Sequence, residues 1–154
     1  MLDEIVVEGF TEWAGTAEPR VRHAVTAAFG PQIGSDATAE ALAIAWQRWG
    51  EVRAKSNPVG YVYGIARNAA RRMARSRAPV SLPDVPQHLP RVEPALPGAL
   101  AALPEQQRLV VSLLYGYEWT MSEVAELLGI AKTTVQNHAE RGLRSLREAL
   151  GVDR

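Results

Sequence analysis

The pattern of apolar and polar positions predicts helices along most of the chain. Between positions 120 and 150, apolar residues recur at spacings of three and four, the period of an amphipathic helix. Gly129 interrupts this run, and glycine often ends a helix because it readily adopts a left-handed conformation. Two helices joined by a tight turn are therefore predicted, the first opened by a capping box of Thr120 and Glu123.

The second of these helices begins with side chains of the kinds that contact DNA. A helix-turn-helix places the N-terminal residues of its second helix at base edges in the major groove. Gln and Asn pair with adenine, Lys reaches guanine and Thr contacts thymine, whereas later arginines suit phosphates. The candidates are Lys132, Thr133, Thr134, Gln136, Asn137, His138, Arg141 and Arg144. The alternative is a plain helical hairpin with a solvated polar face.

The same periodicity predicts three helices in the N-terminal half, over about 19–29, 35–49 and 58–77. The third is expected to open at Asn57 and Pro58, because asparagine is a good N-cap and proline suits the first helical position. A further helix is predicted before the helix-turn-helix, from about 104 to 116.

The third helix combines an apolar face with a basic one. Segment 58–83 contains five arginines and no acidic residue, and Arg67, Arg71 and Arg75 recur on one side of the helix. Tyr61 and Tyr63 lie near its start. Arginines beside aromatic side chains can hold a nucleic-acid backbone and stack on unpaired bases. A solvated basic face is the alternative reading of this pattern.

A proline-rich stretch separates the two halves of the chain. Segment 78–97 contains six prolines, which remove backbone donors and disfavour helix in the preceding residues. We expect an extended linker here, although an ordinary surface loop would have a similar composition. The chain is thus predicted to be all-α, with two small helical domains over 1–77 and 98–154.

Composition excludes several kinds of site. The chain has 154 residues, no net charge and no cysteine, which rules out disulfides and thiolate metal sites and fits a reducing compartment. The three histidines lie in separate segments, and neither a metal nor another cofactor is predicted. Paired carboxylates occur without a nucleophile–base pair or a phosphate loop, so we do not expect an enzyme. An acidic N-terminus and the lack of a long apolar run predict a cytoplasmic protein without membrane insertion.

Taken together, these features resemble an extracytoplasmic-function sigma factor of the sigma-70 superfamily, over roughly 18–152. The stretch LPEQQRLVVSLLYGYEWTMSEVAELLGIAKTTVQNHAERGLRSLREAL resembles region 4, which reads the −35 promoter element. NPVGYVYGIARNAARRMAR resembles the surroundings of region 2.4. SDATAEALAIAWQRW resembles the helix that binds the coiled coil of the RNA polymerase β′ subunit.

The resemblance implies a promoter-recognition subunit that has no catalytic site and that helps to separate the DNA strands. Its implied partners are core RNA polymerase, through the β′ and β subunits, and promoter DNA, and many relatives are also held by an anti-sigma factor. The implied −10 positions are Lys55, Ser56, Asn57, Tyr61, Arg67, Asn68, Arg71 and Arg75. The implied polymerase-binding positions are Asp36, Glu40 and Trp46.

Three positions depart from the family's pattern. Ser35 stands for an acidic residue, Ala39 for a glutamine and Tyr61 for a tryptophan. The first two lie in the stretch that resembles the polymerase-binding helix. They leave a second hypothesis open, in which the protein is a sigma-like or LuxR-like helix-turn-helix regulator that binds duplex DNA without replacing a sigma factor.

Overall fold

Helices make up every regular element of residues 2–77 and 94–152, the part of the chain that this computed structural model describes. The N-terminal half contributes four of them: α1 (Leu2–Phe29), α2 (Pro31–Gln47), α3 (Trp49–Arg53) and α4 (Pro58–Ser76). The predicted start of α4 is confirmed. Asn57 caps it by accepting a hydrogen bond from the Gly60 amide at 3.1 Å, and Pro58 occupies the first turn.

The C-terminal half contains α5 (Leu96–Ala102), α6 (Glu105–Val111), a π-helical turn (Ser112–Gly116), α7 (Met121–Leu128) and α8 (Lys132–Ala149). The predicted helix over 104–116 is therefore α6 continued by the π-helical turn. The helices α7 and α8 form the predicted helix-turn-helix.

The signals that define the helix-turn-helix are confirmed in detail. Thr120 Oγ1 accepts a hydrogen bond from the Glu123 amide, and the Thr120 amide donates to Glu123 Oε1, both at 3.1 Å. Gly129 ends α7 at φ 65° and ψ 35°, the left-handed conformation that glycine adopts without steric cost. Met121 is one of the apolar residues whose spacing predicts a buried face on α7, but it is 37% exposed.

The predicted start of the first helix was wrong, because α1 begins at Leu2 and carries Pro19 in its interior. Ala17 and Val21, on either side of the proline, are fully buried. Upstream, the Phe10 and Trp13 rings lie 5.4 and 5.2 Å from the ring of Trp49. Burial on both sides of Pro19 thus offsets the hydrogen bond that proline removes.

The second helix also starts earlier than predicted, at Pro31 rather than at Ser35 or Asp36. Gly30 takes φ 90° immediately before it, and proline suits the first helical position. The helix breaks at Arg48, so that Trp49, the predicted end, belongs to α3.

One apolar core joins the two halves of the chain. Its N-terminal part consists largely of alanine and valine from α1, α2 and α4, and it continues into Leu109, Leu113, Val124 and Leu127 of the C-terminal half. Helices α1 and α4 supply most of the contacts between the halves, α1 with α6 and the π-helical turn and α4 with α7. A smaller cluster around Leu103, Val111 and Leu146 anchors α5 on α8.

Most of the predicted linker, at 78–93, lies outside the described residues, and α5 begins at Leu96, inside the predicted 78–97 segment. The division into domains at 1–77 and 98–154 therefore stays a prediction. No helix in the described part of the chain combines the length and apolar character needed to cross a membrane.

Candidate nucleic-acid and polymerase-binding surfaces

The outer face of α8 presents most of the predicted DNA-reading side chains to solvent. Thr134 and His138 are half-buried, and the others are exposed, namely Lys132, Thr133, Gln136, Asn137, Arg141 and Arg144. The opposite face is fixed by Val135 and Ala139, which are 0% and 2% exposed. Because α8 packs mainly on α5, α6 and α7, its polar face is open to a DNA groove.

One contact restrains this face. Gln136 Nε2 donates a hydrogen bond to Glu140 Oε1 at 3.2 Å, one helical turn further along. The contact is exposed, so the glutamine amide can exchange it for a base edge at little cost.

The basic face of α4 is arranged differently, because two of its arginines converge on one carboxylate of the other half. Arg71 forms a two-pronged contact with Glu105 at the start of α6, from Nε to Oε1 at 3.2 Å and from Nη2 to Oε2 at 2.8 Å. Arg67 Nε lies 3.3 Å from Glu105 Oε2, although its N–H does not point at the oxygen. The Arg71 hydrogen bond is the main cause that lowers the pKa of Glu105.

The loop before α4 also contacts the C-terminal half. Asn57 Nδ2 donates to the backbone carbonyl of Glu126 at 2.7 Å, while its Oδ1 caps α4. Lys55 and Ser56 are exposed, and the Lys55 ammonium lies 4.7 Å from the centre of the Tyr61 ring. A cavity of about 300 Å³ beside this contact is lined by residues of the loop, of α1 and of α7.

Among the aromatic residues considered for stacking on bases, Tyr61 and Tyr63 differ in accessibility. Tyr61 is half-buried, and its hydroxyl donates to Glu51 Oε1 at 3.4 Å. Tyr63 is only 5% exposed, and its burial raises the pKa of the hydroxyl to about 12. The expectation that Tyr63 lies on the nucleic-acid face was therefore wrong, because the residue belongs to the core. Asn68 and Arg75 are exposed.

The predicted polymerase-binding acids on α2 pair with arginines at the C-terminal end of α4. Asp36 Oδ2 accepts from Arg77 at 2.8 Å, and Glu40 Oε2 accepts from Arg72 at 2.5 Å. The Arg77 contact is the main cause that lowers the pKa of Asp36. Trp46 is 44% exposed on the same helix, with its ring 5.2 Å from that of Phe10.

A second set of contacts links α1 to the segment before α7. Arg20 Nη2 lies 3.3 Å from Glu123 Oε2, and the Arg20 guanidinium stands 5.5 Å from the centre of the Trp119 ring. His23 stacks on Tyr117 at 4.6 Å. Burial, followed by the charge of Arg22, lowers the pKa of His23.

Glu105, Glu123 and Arg20 are contact residues that sequence reasoning missed. Glu105 is 34 positions from Arg71, and Glu123 is 103 positions from Arg20. A helical pattern reveals partners three or four positions apart, so these pairs left no local signal. The sequence indicated these pairs only indirectly, because α4 has arginines but too few acidic residues to pair with them on the same helix.

Helices α7 and α8 thus form a helix-turn-helix whose outer polar face is exposed. Residues 99–148 match the family described as sigma-70, region 4. The chain is 40% identical over 55 residues to the RNA polymerase sigma factor FliA of Pseudomonas aeruginosa, a segment that is 35% of this chain and 22% of that protein. The chain thus aligns with about a fifth of the length of this curated relative.

The fold as a whole is similar to that of the sigma factor RpoE from Bartonella quintana, solved in complex with the anti-sigma factor NepR. The TM-score is 0.67 at 20% identity, and the match covers 96% of this chain and 99% of that one. The region 4 match thus covers residues 99–148, and the likeness to RpoE shows a shared fold over nearly the whole chain.

Proposed function

We propose that the protein is an extracytoplasmic-function sigma factor that directs core RNA polymerase to promoters and assists their opening. The observation that carries the proposal is the face of α8, where exposed Gln136, Asn137 and Arg141 follow one another along a helix inside the region 4 match. In this proposal α8 enters the major groove of the −35 element. Gln136 and Asn137 then meet base edges, and Arg141 and Arg144 meet phosphates.

The N-terminal half would supply the −10 contacts. The loop Lys55, Ser56 and Asn57 leads directly into α4, whose arginines line one side of the helix. Loop side chains and Tyr61 would hold unpaired bases, while the arginines would hold the backbone. These contacts require single-stranded DNA to reach the surface of α4 and its preceding loop that faces α6 and α7 in the structure.

Core polymerase would bind α2 through Asp36, Glu40 and Trp46. The two acids and the exposed indole lie on one helix, and each acid is already oriented by an arginine of α4. An anti-sigma factor is a further proposed partner, supported by the likeness to a sigma factor that was solved with one. This function implies a cytoplasmic location.

Co-elution with bacterial core RNA polymerase tests the proposal. The test variant is Asp36→Asn, Glu40→Gln, and the matched control is Arg72→Ala, Arg77→Ala, which breaks the same two ion pairs but keeps the acids. If the acids bind polymerase, the first variant loses co-elution and the second retains it. Equal loss in both variants would mean that the pairs only support the packing of α2 on α4.

Wild-type protein that fails to co-elute would refute the sigma-factor proposal. A sigma-like regulator that acts on duplex DNA by itself would then be the better hypothesis. A tight mobility shift on duplex DNA by the free protein is the result that this second hypothesis predicts.

A further inference from the structure

The base-reading end of α8 carries one acidic side chain among its amides and cations. From Lys132 to Arg141 the only acidic residue is Glu140, which is exposed and lies one helical turn after the exposed Gln136. Residues at this spacing are neighbours on one face of a helix. A carboxylate on a helix that meets phosphates repels them and lowers the affinity for any DNA. The position of Glu140 therefore points to a role in specificity rather than in affinity.

The Glu140 carboxylate is directed toward the start of α8. Gln136 Nε2 donates a hydrogen bond to Glu140 Oε1 at 3.2 Å. Arg144 lies one turn beyond Glu140, yet within the described part of the chain no ion pair joins the two. Side chains on a helix lean toward its N-terminus, which favours the glutamine over the arginine as the partner. The acid is therefore held against a candidate base-reading amide.

This contact fixes which way round the Gln136 amide lies. An ionised carboxylate only accepts hydrogen bonds, so the NH2 end of the amide must face it. One N–H of Nε2 then donates to Glu140, whereas the second N–H and the Oε1 acceptor lie outside this contact. A flipped amide would set Oε1 against the carboxylate, one acceptor against another. Glu140 thus leaves Gln136 with one donor and one acceptor for a base edge.

One donor and one acceptor match adenine and do not match guanine. In the major groove adenine offers the N7 acceptor and the N6 amino donor, whereas guanine offers two acceptors, N7 and O6. A two-pronged contact with guanine would need both N–H groups of the Gln136 amide, and one of them donates to Glu140. The carboxylate therefore orients the amide for one base and opposes its use for the other, which is how specificity arises from an unfavourable alternative.

We propose that Glu140 is a positioning residue that makes Gln136 select adenine over guanine in the duplex element read by α8. The inference rests on the proposed function in one respect, namely that α8 enters the major groove. It deepens that function, because it names the base and adds a residue that acts through Gln136. It applies equally to a sigma factor and to a regulator that binds duplex DNA by itself.

The test begins with selection of duplexes from a pool of random sequence by the full chain. The selection is made once with the free protein and once with core polymerase added. Sequencing of the selected duplexes gives the preference at each base pair, and the pair read by Gln136 is the one whose preference is lost in Gln136→Ala. Anisotropy titrations then compare two duplexes that differ only in adenine or guanine at that position.

The test variant is Glu140→Ala, and the matched control is Glu148→Ala, which removes the same charge from an exposed position further along α8. We expect wild type and Glu148→Ala to prefer adenine, and Glu140→Ala to lose roughly fivefold of this preference, the lower part of the range for a two-pronged base contact. In the Gln136→Ala background, Glu140→Ala should have no further effect at that base pair. The variants should melt close to wild type, because these side chains are exposed.

Three results would overturn the inference. The first is a wild-type selection that yields no shared sequence, or a base other than adenine at the pair read by Gln136. The second is Glu140→Ala with the same preference for adenine as Glu148→Ala. The third is an equal effect of Glu140→Ala with and without Gln136, which would mean that Glu140 contacts a base itself. Failure of the sigma-factor proposal is seen separately, as wild-type protein that does not co-elute with polymerase, while the free-protein selection still reports the base preference.

Discussion

A substitution at Gly60 tests most directly whether α4 of the N-terminal half lies in close contact with α7 of the C-terminal half. A Cβ there would lie 2.3 Å from Asn57 Nδ2 and 2.9 Å from the Leu127 carbonyl oxygen, both shorter than ordinary contacts. The Asn57 amide can rotate, at the cost of its hydrogen bonds to the Gly60 amide and the Glu126 carbonyl. The carbonyl is backbone and can retreat only if α7 moves away from α4.

Gly64 provides the matched control on the same helix, because a Cβ at that position meets nothing within 4 Å. Gly64→Ala should stabilise the protein by up to about 1 kcal/mol, since alanine favours helix over glycine. Gly60→Ala gains less than this near the helix start and adds an overpacking cost of roughly 1–3 kcal/mol. The two alanine variants should therefore differ by about 1–3 kcal/mol in the free energy of unfolding.

The assay is thermal unfolding followed by circular dichroism, in which 1 kcal/mol corresponds to a shift of about 2–4 °C for a protein of this size. We expect Gly60→Ala to melt several degrees below Gly64→Ala. If Gly60→Ala melts at the same temperature as Gly64→Ala or above it, the close approach of α4 and α7 is not a feature of the folded protein.

Two further predictions concern DNA binding and pH. Arg141→Ala should weaken duplex binding almost uniformly across sequences and lower the slope of log affinity against log salt concentration by about one. Gln136→Ala should instead reduce the discrimination between bases at one base pair by about 1–3 kcal/mol, as measured by anisotropy titrations. Equal effects of the two variants on random DNA would contradict these roles. The lowered pKa values of His23 and Glu105 both predict that acid destabilises the fold. As the pH falls below the ordinary 6.5 of histidine, the unfolded chain binds a proton at His23 more tightly than the folded protein does, and the folded state loses stability. The stability that Glu105 contributes is present above 4.5 and is lost as the pH falls through its lowered pKa. Melting temperatures measured from about pH 8 to about pH 2 should fall in this order. His23→Gln should flatten the part of this curve near pH 6, and an unchanged slope in that variant would refute the His23 assignment.

Sequence reasoning worked best where the signals are local. The capping box of Thr120 and Glu123, the left-handed Gly129 and the cap of α4 by Asn57 each depend on residues within three or four positions. They fixed the helix-turn-helix and the start of α4, and with them the candidate DNA-binding faces. The all-α class followed from the same periodicity.

The predictions from sequence were wrong or incomplete where tertiary packing determines the structure. Pro19 looks like a helix start, but the burial of Ala17 and Val21 keeps α1 continuous through it. Tyr63 looks like a stacking residue near the start of α4, but the fold takes it into the core. The pairing of Glu105 with Arg71 could not be predicted, because it depends on how the two halves meet.

The central claim is the proposal that this protein, whose residues 99–148 match sigma-70 region 4, directs RNA polymerase to promoters. The most direct test is transcription in vitro, with core polymerase and fragments of the genome that encodes the protein, with and without the purified chain, followed by mapping of the transcript 5′ ends. The account predicts transcripts that depend on the protein and that begin at a fixed distance downstream of two shared sequence elements. Transcripts that are absent, or identical without the protein, would contradict it.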